Sequence, residues 1–222
     1  MALRLIAMPT RETQKLILDK AIELFNANGS HEVSTNRIAE ECGLSRGNLY
    51  YHFRTKEEII QAIFQRISAE MDESWAEDHL HPTMEHMNFM FERMLRLNWK
   101  YRFFYRELNT LLRTDARLKI LFLDNRKIRL DEVSRFFHAL IDEGLMRSPE
   151  EPASLDFVLT TSWLISDQWL PQLDLEDRPV NEESIRDGYY LILQLLSPYL
   201  TEKAQTAVRD IDWQSARRRA QR

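Results

Sequence analysis

Apolar residues recur at helical spacing along almost the whole chain, and breaks in that pattern divide it into segments. From Thr10 to Asn28 the apolar positions Leu16, Ile17, Ala21, Leu24 and Phe25 predict an amphipathic helix, started by Thr10 and ended at Asn28-Gly29. Ser34 then caps a short second helix whose inward face is Ile38, Ala39 and Cys42. Gly43 makes a turn, Leu44 plugs it, and Ser45 caps a third helix that ends at His52 or Phe53. Thr55 caps a fourth, with Glu57 and Glu58 at the positive end of its dipole. Ile59, Ile60, Ile63, Phe64 and Ile67 give this helix a broad apolar stripe.

The pattern weakens between Met71 and Pro82, which predicts a domain boundary. It resumes at Met84, Met87, Phe91, Met94 and Leu95, and a junction at Asn98 to Tyr101 leads into Phe103, Phe104, Leu108, Leu111 and Leu112. Thr114 or Asp115 caps a long helix closed by Gly144, and a Pro-rich loop follows at Ser148 to Pro152. Two more helices are predicted, from Ala153 to about Trp169 and from Asn181 to Leu196, before Pro198 breaks the pattern. The expected fold is all-α: an N-terminal three-helix helix-turn-helix domain linked to a larger helical domain. The boundaries are drawn at 10–70 and 71–212, with a flexible basic tail over 213–222 that carries Arg217, Arg218, Arg219 and Arg222. Only five glycines and seven prolines in 222 residues agree with helices rather than sheets.

Composition narrows the function. A net charge of −5 argues against wholesale coating of nucleic acid, but not against a local basic face. Between Ser34 and Lys56 the basic residues Arg37, Arg46, Arg54 and Lys56 outnumber Glu40 and Glu41, and no acidic residue falls after Cys42. The single cysteine, Cys42, excludes a disulfide framework, fits a cytoplasmic setting, and reads as packing rather than as a redox sensor. No apolar run is long enough to span a bilayer, so no membrane partner is expected, and Met1 to Pro9 does not read as a signal peptide. Histidines at His79, His81 and His86 with Glu85 lack helical ligand spacing, so no metal is expected, and no nucleophile elbow or phosphate loop suggests an enzyme or a cofactor.

The segment from Ser34 to Phe53 carries the most chemistry. A helix-turn-helix needs a bracing helix, a tight turn and a second helix with a polar outer face. Ile38, Ala39, Leu44, Leu49 and Phe53 supply the brace, leaving Arg46, Gly47, Asn48, Tyr50, Tyr51 and His52 shared between partial burial and the outside. Arg and Asn suit bidentate contacts to guanine and adenine edges, whereas tyrosine hydroxyls and lysine suit phosphates. Gly47 has no side chain to hold the backbone away from a duplex.

The run Cys42-Gly43-Leu44-Ser45-Arg46-Gly47-Asn48-Leu49-Tyr50-Tyr51-His52-Phe53, followed by Lys56-Glu57-Glu58, closely resembles the tetracycline-repressor (TetR) family of transcription regulators, over roughly Thr10 to Ile67. The resemblance implies a homodimeric regulator, usually a repressor, on a near-palindromic double-stranded DNA operator, with a diverse helical C-terminal domain that binds a small effector and forms the dimer. Carried over residue by residue, Tyr50 and Lys56 match the family's phosphate-contacting positions, and Arg46, Asn48 and Tyr51 fall at variable, sequence-reading ones. The chain departs from the pattern at Ser30, where an aromatic is common, and at Val33, where a threonine is frequent. A valine has no polar atom to offer a phosphate, so that role passes to Ser34, Thr35 or Asn36. A helical protein–protein adaptor with a structural hairpin is the alternative from another class.

In the larger domain, Met84, Met87, Met90 and Met94 concentrate half of the chain's eight methionines on one helix. Methionine both fills cores and lines pockets for apolar ligands, and the pattern leaves the two open. The candidate effector-binding residues are Met87, Met90, Met94, Trp99, Phe103, Phe104 and Trp163. Basic residues interleaved with Trp99 to Tyr105 add the option of an apolar pocket with a cationic rim, suited to an amphipathic anion. The expected dimer interface uses Leu155, Leu159, Ile185, Tyr189, Ile192 and Leu196 of the last two long helices, packed as a four-helix bundle across a two-fold axis.

Overall fold

A computed structural model of the chain describes residues 10–75 and 82–209. Met1 to Pro9, His79, His81 and the basic tail lie outside the described residues, and with them the readings made there.

The helical spacing is realised in eleven α-helices among the described residues, with no β-strand. The first four are α1 (Thr10–Asn28), α2 (Thr35–Glu41), α3 (Arg46–His52) and α4 (Lys56–Trp75). Their limits follow local chemistry. Ser34 Oγ accepts from the Arg37 amide at 3.2 Å, Ser45 Oγ from the Asn48 amide at 3.2 Å, and Thr55 Oγ1 from the Glu58 amide at 3.2 Å. Gly43 turns the chain at φ +64°, a left-handed conformation that favours glycine. The Leu44 amide then closes the turn on the Ala39 carbonyl at 2.9 Å.

The body contains α5 (Met84–Lys100), α6 (Arg102–Arg106), α7 (Leu108–Thr114), α8 (Ala116–Asp142), α9 (Leu155–Leu175), α10 (Glu182–Leu196) and α11 (Glu202–Arg209). Asp115 Oδ1 caps α8 by accepting from the Leu118 amide at 2.9 Å, and Asn181 and Ser184 form a reciprocal capping box on α10. Helices α9 and α10 approach closely because position 188 is glycine: a Cβ there would lie 2.5 Å from Trp169 Cδ1. The Trp169 indole donates to the Ser184 carbonyl at 2.6 Å across the same contact.

Head and body share one continuous core. The Phe25 and Phe103 ring centroids are 5.0 Å apart, and Phe64 stacks on Phe104 at 5.4 Å. Polar groups seal the rim of this seam. Asn26 donates to the Lys100 carbonyl at 2.8 Å and accepts from the Phe103 amide at 3.1 Å. Glu107 accepts from both the Ser30 amide, at 2.8 Å, and the Ser30 hydroxyl.

Two sets of expected site residues lie inside the chain's own packing. Phe103 and Phe104 are fully buried in the seam, and α6 turns them toward α1 and α4. Of the residues expected at a dimer interface, Leu159, Ile185, Tyr189, Ile192 and Leu196 are buried in the chain's own core, and Leu155 is half-buried against it. These faces of α9 and α10 close the core and are not open to a second copy. Helix α9 is apolar on both sides, with Val158, Leu159, Leu170 and Leu173 inward and Phe157, Leu164 and Leu175 outward. Periodicity alone does not rank two apolar faces.

Candidate nucleic-acid interface and effector cavity

Helix α3 turns one side chain firmly inward, Leu49, which is 1% exposed. Arg46, Gly47, Asn48, Tyr50 and Tyr51 are exposed, and Tyr51, at 77%, is more open than Tyr50. Ser34 and Asn36 are exposed and Thr35 half-buried at the start of α2. Arg46, Gly47 and Asn48 occupy the first turn of α3; the Asn48 amide is taken by the Ser45 cap, and the Arg46 and Gly47 amides, which precede the helical ladder, suit phosphate oxygens. A Cβ at Gly47 would meet nothing within 4 Å, so the protein itself does not require glycine there. Val33 is fully buried, which explains a side chain without polar atoms at that position.

Lys56 has a structural task that its position in the sequence does not reveal. Its ammonium donates to the Ser30 carbonyl at 2.6 Å, tying the start of α4 to the turn after α1. Ser30 in turn is held by Glu107 of the body. An ammonium has three donors, so this clasp leaves Lys56 capacity for another acceptor. Serine at position 30 thus links the head to the body. The signal for that link is Glu107, which is 77 residues away in sequence. Cys42 is half-buried beside the Leu16 carbonyl, and burial pushes its thiol up to about 11, which keeps it protonated and unreactive at neutral pH.

The body holds an apolar cavity of about 130 Å³ between α5, α8, α9 and α10. Met87, Met90 and Met94 line it, with Val133, Phe136 and Trp163 opposite. Trp99, Phe103 and Phe104 do not. Trp99 is half-buried under the Arg102 guanidinium, 4.4 Å from its ring centroid, and the two phenylalanines belong to the seam. Sequence reasoning missed Arg129, which also lines the cavity and is only 4% exposed. Its Nη1 donates to Glu132 at 2.6 Å and its Nη2 pairs with Asp72 of α4. Burial pulls the guanidinium below its ordinary pKa, an effect that Glu132 opposes.

His86 is a capping group: its Nδ1 accepts from the Thr83 amide at 3.1 Å. Among the described residues no cluster of His, Cys, Asp and Glu is arranged to hold a metal ion, and no helix is long and apolar enough to cross a membrane.

A braced helix with an open polar face beside a larger body with an apolar cavity defines a helix-turn-helix regulator architecture. Comparison with known proteins gives the family. Residues 17–63 match the profile of bacterial regulatory proteins of the tetR family, and residues 64–208 match that of a TetR bacterial transcriptional repressor. The chain belongs to the TetR family, whose members are transcription regulators and not enzymes. It is 31% identical over 141 residues to the transcriptional repressor AcnR of Corynebacterium glutamicum, across 63% of this chain and 71% of that one. It is 47% identical over 57 residues to the regulator UidR of Escherichia coli K12, a match that spans 26% of this chain and only 28% of UidR. A TetR-family regulator from Marinobacter aquaeolei VT8 superposes with a TM-score of 0.76 at 34% identity, covering 86% of this chain and 92% of that one.

Proposed function

We propose that the chain is a ligand-responsive repressor that acts in the cytoplasm as a homodimer on a near-palindromic DNA operator. The observation that carries this reading is the exposed polar face of α3, held rigid by buried Leu49 and the Ser45 cap. In the complex, Arg46 and Asn48 read base edges and Tyr51 reaches the groove wall. Tyr50, Lys56 and the Ser34–Asn36 segment hold phosphates, and Gly47 lets the backbone come close.

The outward faces of α9 and α10 supply the dimer contact, since Phe157, Leu164, Leu175 and Leu191 are exposed large apolar side chains. Such a patch suits burial against its own two-fold copy. The cavity receives the effector. Arg129 in its wall is bonded to Asp72 on α4, and α4 begins in the head. An occupant that prefers one placement of α4 changes the separation of the two heads and so the affinity for the operator.

Binding to a short palindromic duplex, measured against salt, tests this reading. Affinity falls along a log–log slope of about −0.9 for each phosphate neutralised. Arg46→Ala costs about 1–3 kcal/mol and relaxes preference at one base position. Lys56→Gln keeps a donor for the Ser30 carbonyl but weakens all duplexes alike and lowers the slope by about 1. If neither substitution alters binding to any duplex, a structural hairpin in a protein–protein adaptor becomes the better reading.

A further inference from the structure

The cavity wall is almost entirely hydrocarbon, and its polar groups are mostly engaged. The Ser162 hydroxyl donates to the Val158 carbonyl at 2.9 Å, and the Tyr189 hydroxyl accepts from Asn98 at 3.1 Å. Arg129 differs. Its Nη atoms are taken by Glu132 and Asp72, but its Nε–H is buried and has no partner among the described residues. A buried donor left unpaired is costly, and an occupant with an acceptor removes that cost.

Charge decides what kind of acceptor fits. Two carboxylates already face the single positive charge of Arg129, so this end of the cavity presents a donor without excess positive charge. An anion entering here leaves water for an apolar wall and meets Glu132 and Asp72 nearby. That sets aside the amphipathic anion raised by the sequence. Size gives the rest: a dry apolar cavity of about 150 Å³ accepts benzene, and this one holds about 130 Å³.

We infer that the cavity selects a neutral, single-ring apolar molecule carrying one hydrogen-bond acceptor, such as a ketone, ester or ether oxygen, which the Nε–H of Arg129 recognises. The inference rests on reading this cavity as the effector site, but it concerns direct binding and stands or falls without DNA.

The test uses four probes of matched size: acetophenone, ethylbenzene, benzoate and benzylammonium. Binding to the whole 222-residue chain is followed by ligand-observed NMR and calorimetry in the absence of DNA. Acetophenone should bind about tenfold more tightly than ethylbenzene, the usual worth of one net hydrogen bond to a buried donor, and at least as far ahead of both ions. Arg129→Lys keeps the charge and removes the Nε–H, and should bring acetophenone to the ethylbenzene level. Met90→Trp fills the cavity from its rim and should abolish binding of both neutral probes, which keeps the test decisive where Arg129→Lys fails to fold. The inference is overturned if benzoate or benzylammonium binds best, if ethylbenzene equals acetophenone, or if Met90→Trp leaves binding intact. Acetophenone binding that leaves operator affinity unchanged would uphold the ligand class and sink the regulatory reading instead.

Discussion

The head and the body of this protein place their polar chemistry in opposite directions. In the head, Arg46, Asn48 and Tyr51 stand in solvent on α3, which Ser45 caps, between α2 and α4, which Ser34 and Thr55 cap, each through a hydrogen bond that spans three residues. In the body the distinctive polar groups are inside: Asn98, Arg129 and Asp167 are buried, and Asn98 Oδ1, the Tyr105 hydroxyl and Arg129 Nε lack partners among the described residues. Each such orphan costs roughly 1–3 kcal/mol. Of these three only Arg129 lines the cavity, and the head has an orphan of its own in His52 Nδ1, so the body carries the larger share of destabilising polar groups. A regulator needs both arrangements, because a reading head must be rigid before it meets its target and a sensor must gain something when it is filled.

The seam between the two regions gives the sharpest way to break this contrast. Phe103 is 1% exposed and packs on Phe25 across the boundary. Phe103→Ala should lower unfolding stability by about 3–5 kcal/mol in a denaturant titration. If the regions share one core, a single transition shifts. A head that melts separately, leaving the body's midpoint in place, would show that the continuous core does not couple them.

The next effect belongs to the body alone. Burial pushes the Asp167 carboxyl up to about 6, against the pull of Arg126 and the Trp163 indole. A carboxyl with a raised folded-state pKa binds its proton more tightly in the folded protein than in the unfolded chain. Stability is therefore greatest below about pH 4 for this group and is lost as pH rises through about 6, by at most about 3 kcal/mol. Asp167→Asn should flatten that limb of the stability–pH curve and raise the midpoint at pH 7.5. A wild-type curve flat between pH 4.5 and 7 would disprove the buried charge.

These two residues also mark how far the sequence is legible. Helix limits in the head can be read because each is decided by near neighbours: a cap three residues away, a glycine at a left-handed turn, a leucine four residues from a phenylalanine. The inward side of α3 is marked by Leu49 for the same reason. The body's helices are visible too, but not the roles of their faces. Phe103 and Phe104 suit a pocket lining by type, yet α6 turns them toward Phe25 and Phe64. Tyr189 and Ile192 have the spacing of a dimer surface although they close the core, while Phe157 and Leu164 stand exposed on the other side of the bundle. Arg129 gives no signal, since its partners Asp72 and Glu132 come from two different helices and its burial is decided by both. Long-range packing, not local propensity, assigns these positions.

The smallest predicted change isolates the head's outward chemistry. At Gly47 an added methyl would meet no atom of the protein within 4 Å, and the residue has no positive φ to relieve. Gly47→Ala should therefore raise stability slightly, by about 0.4–1 kcal/mol, through the smaller conformational freedom of the unfolded chain. The same methyl stands on the first turn of α3, where the amide groups face outward. Operator affinity should fall, because the backbone loses its close approach to phosphate even though the fold has become firmer. Thermal unfolding and duplex binding measured on one preparation check both signs together. A variant that is more stable and binds just as tightly would mean that this turn of α3 does not lie against DNA.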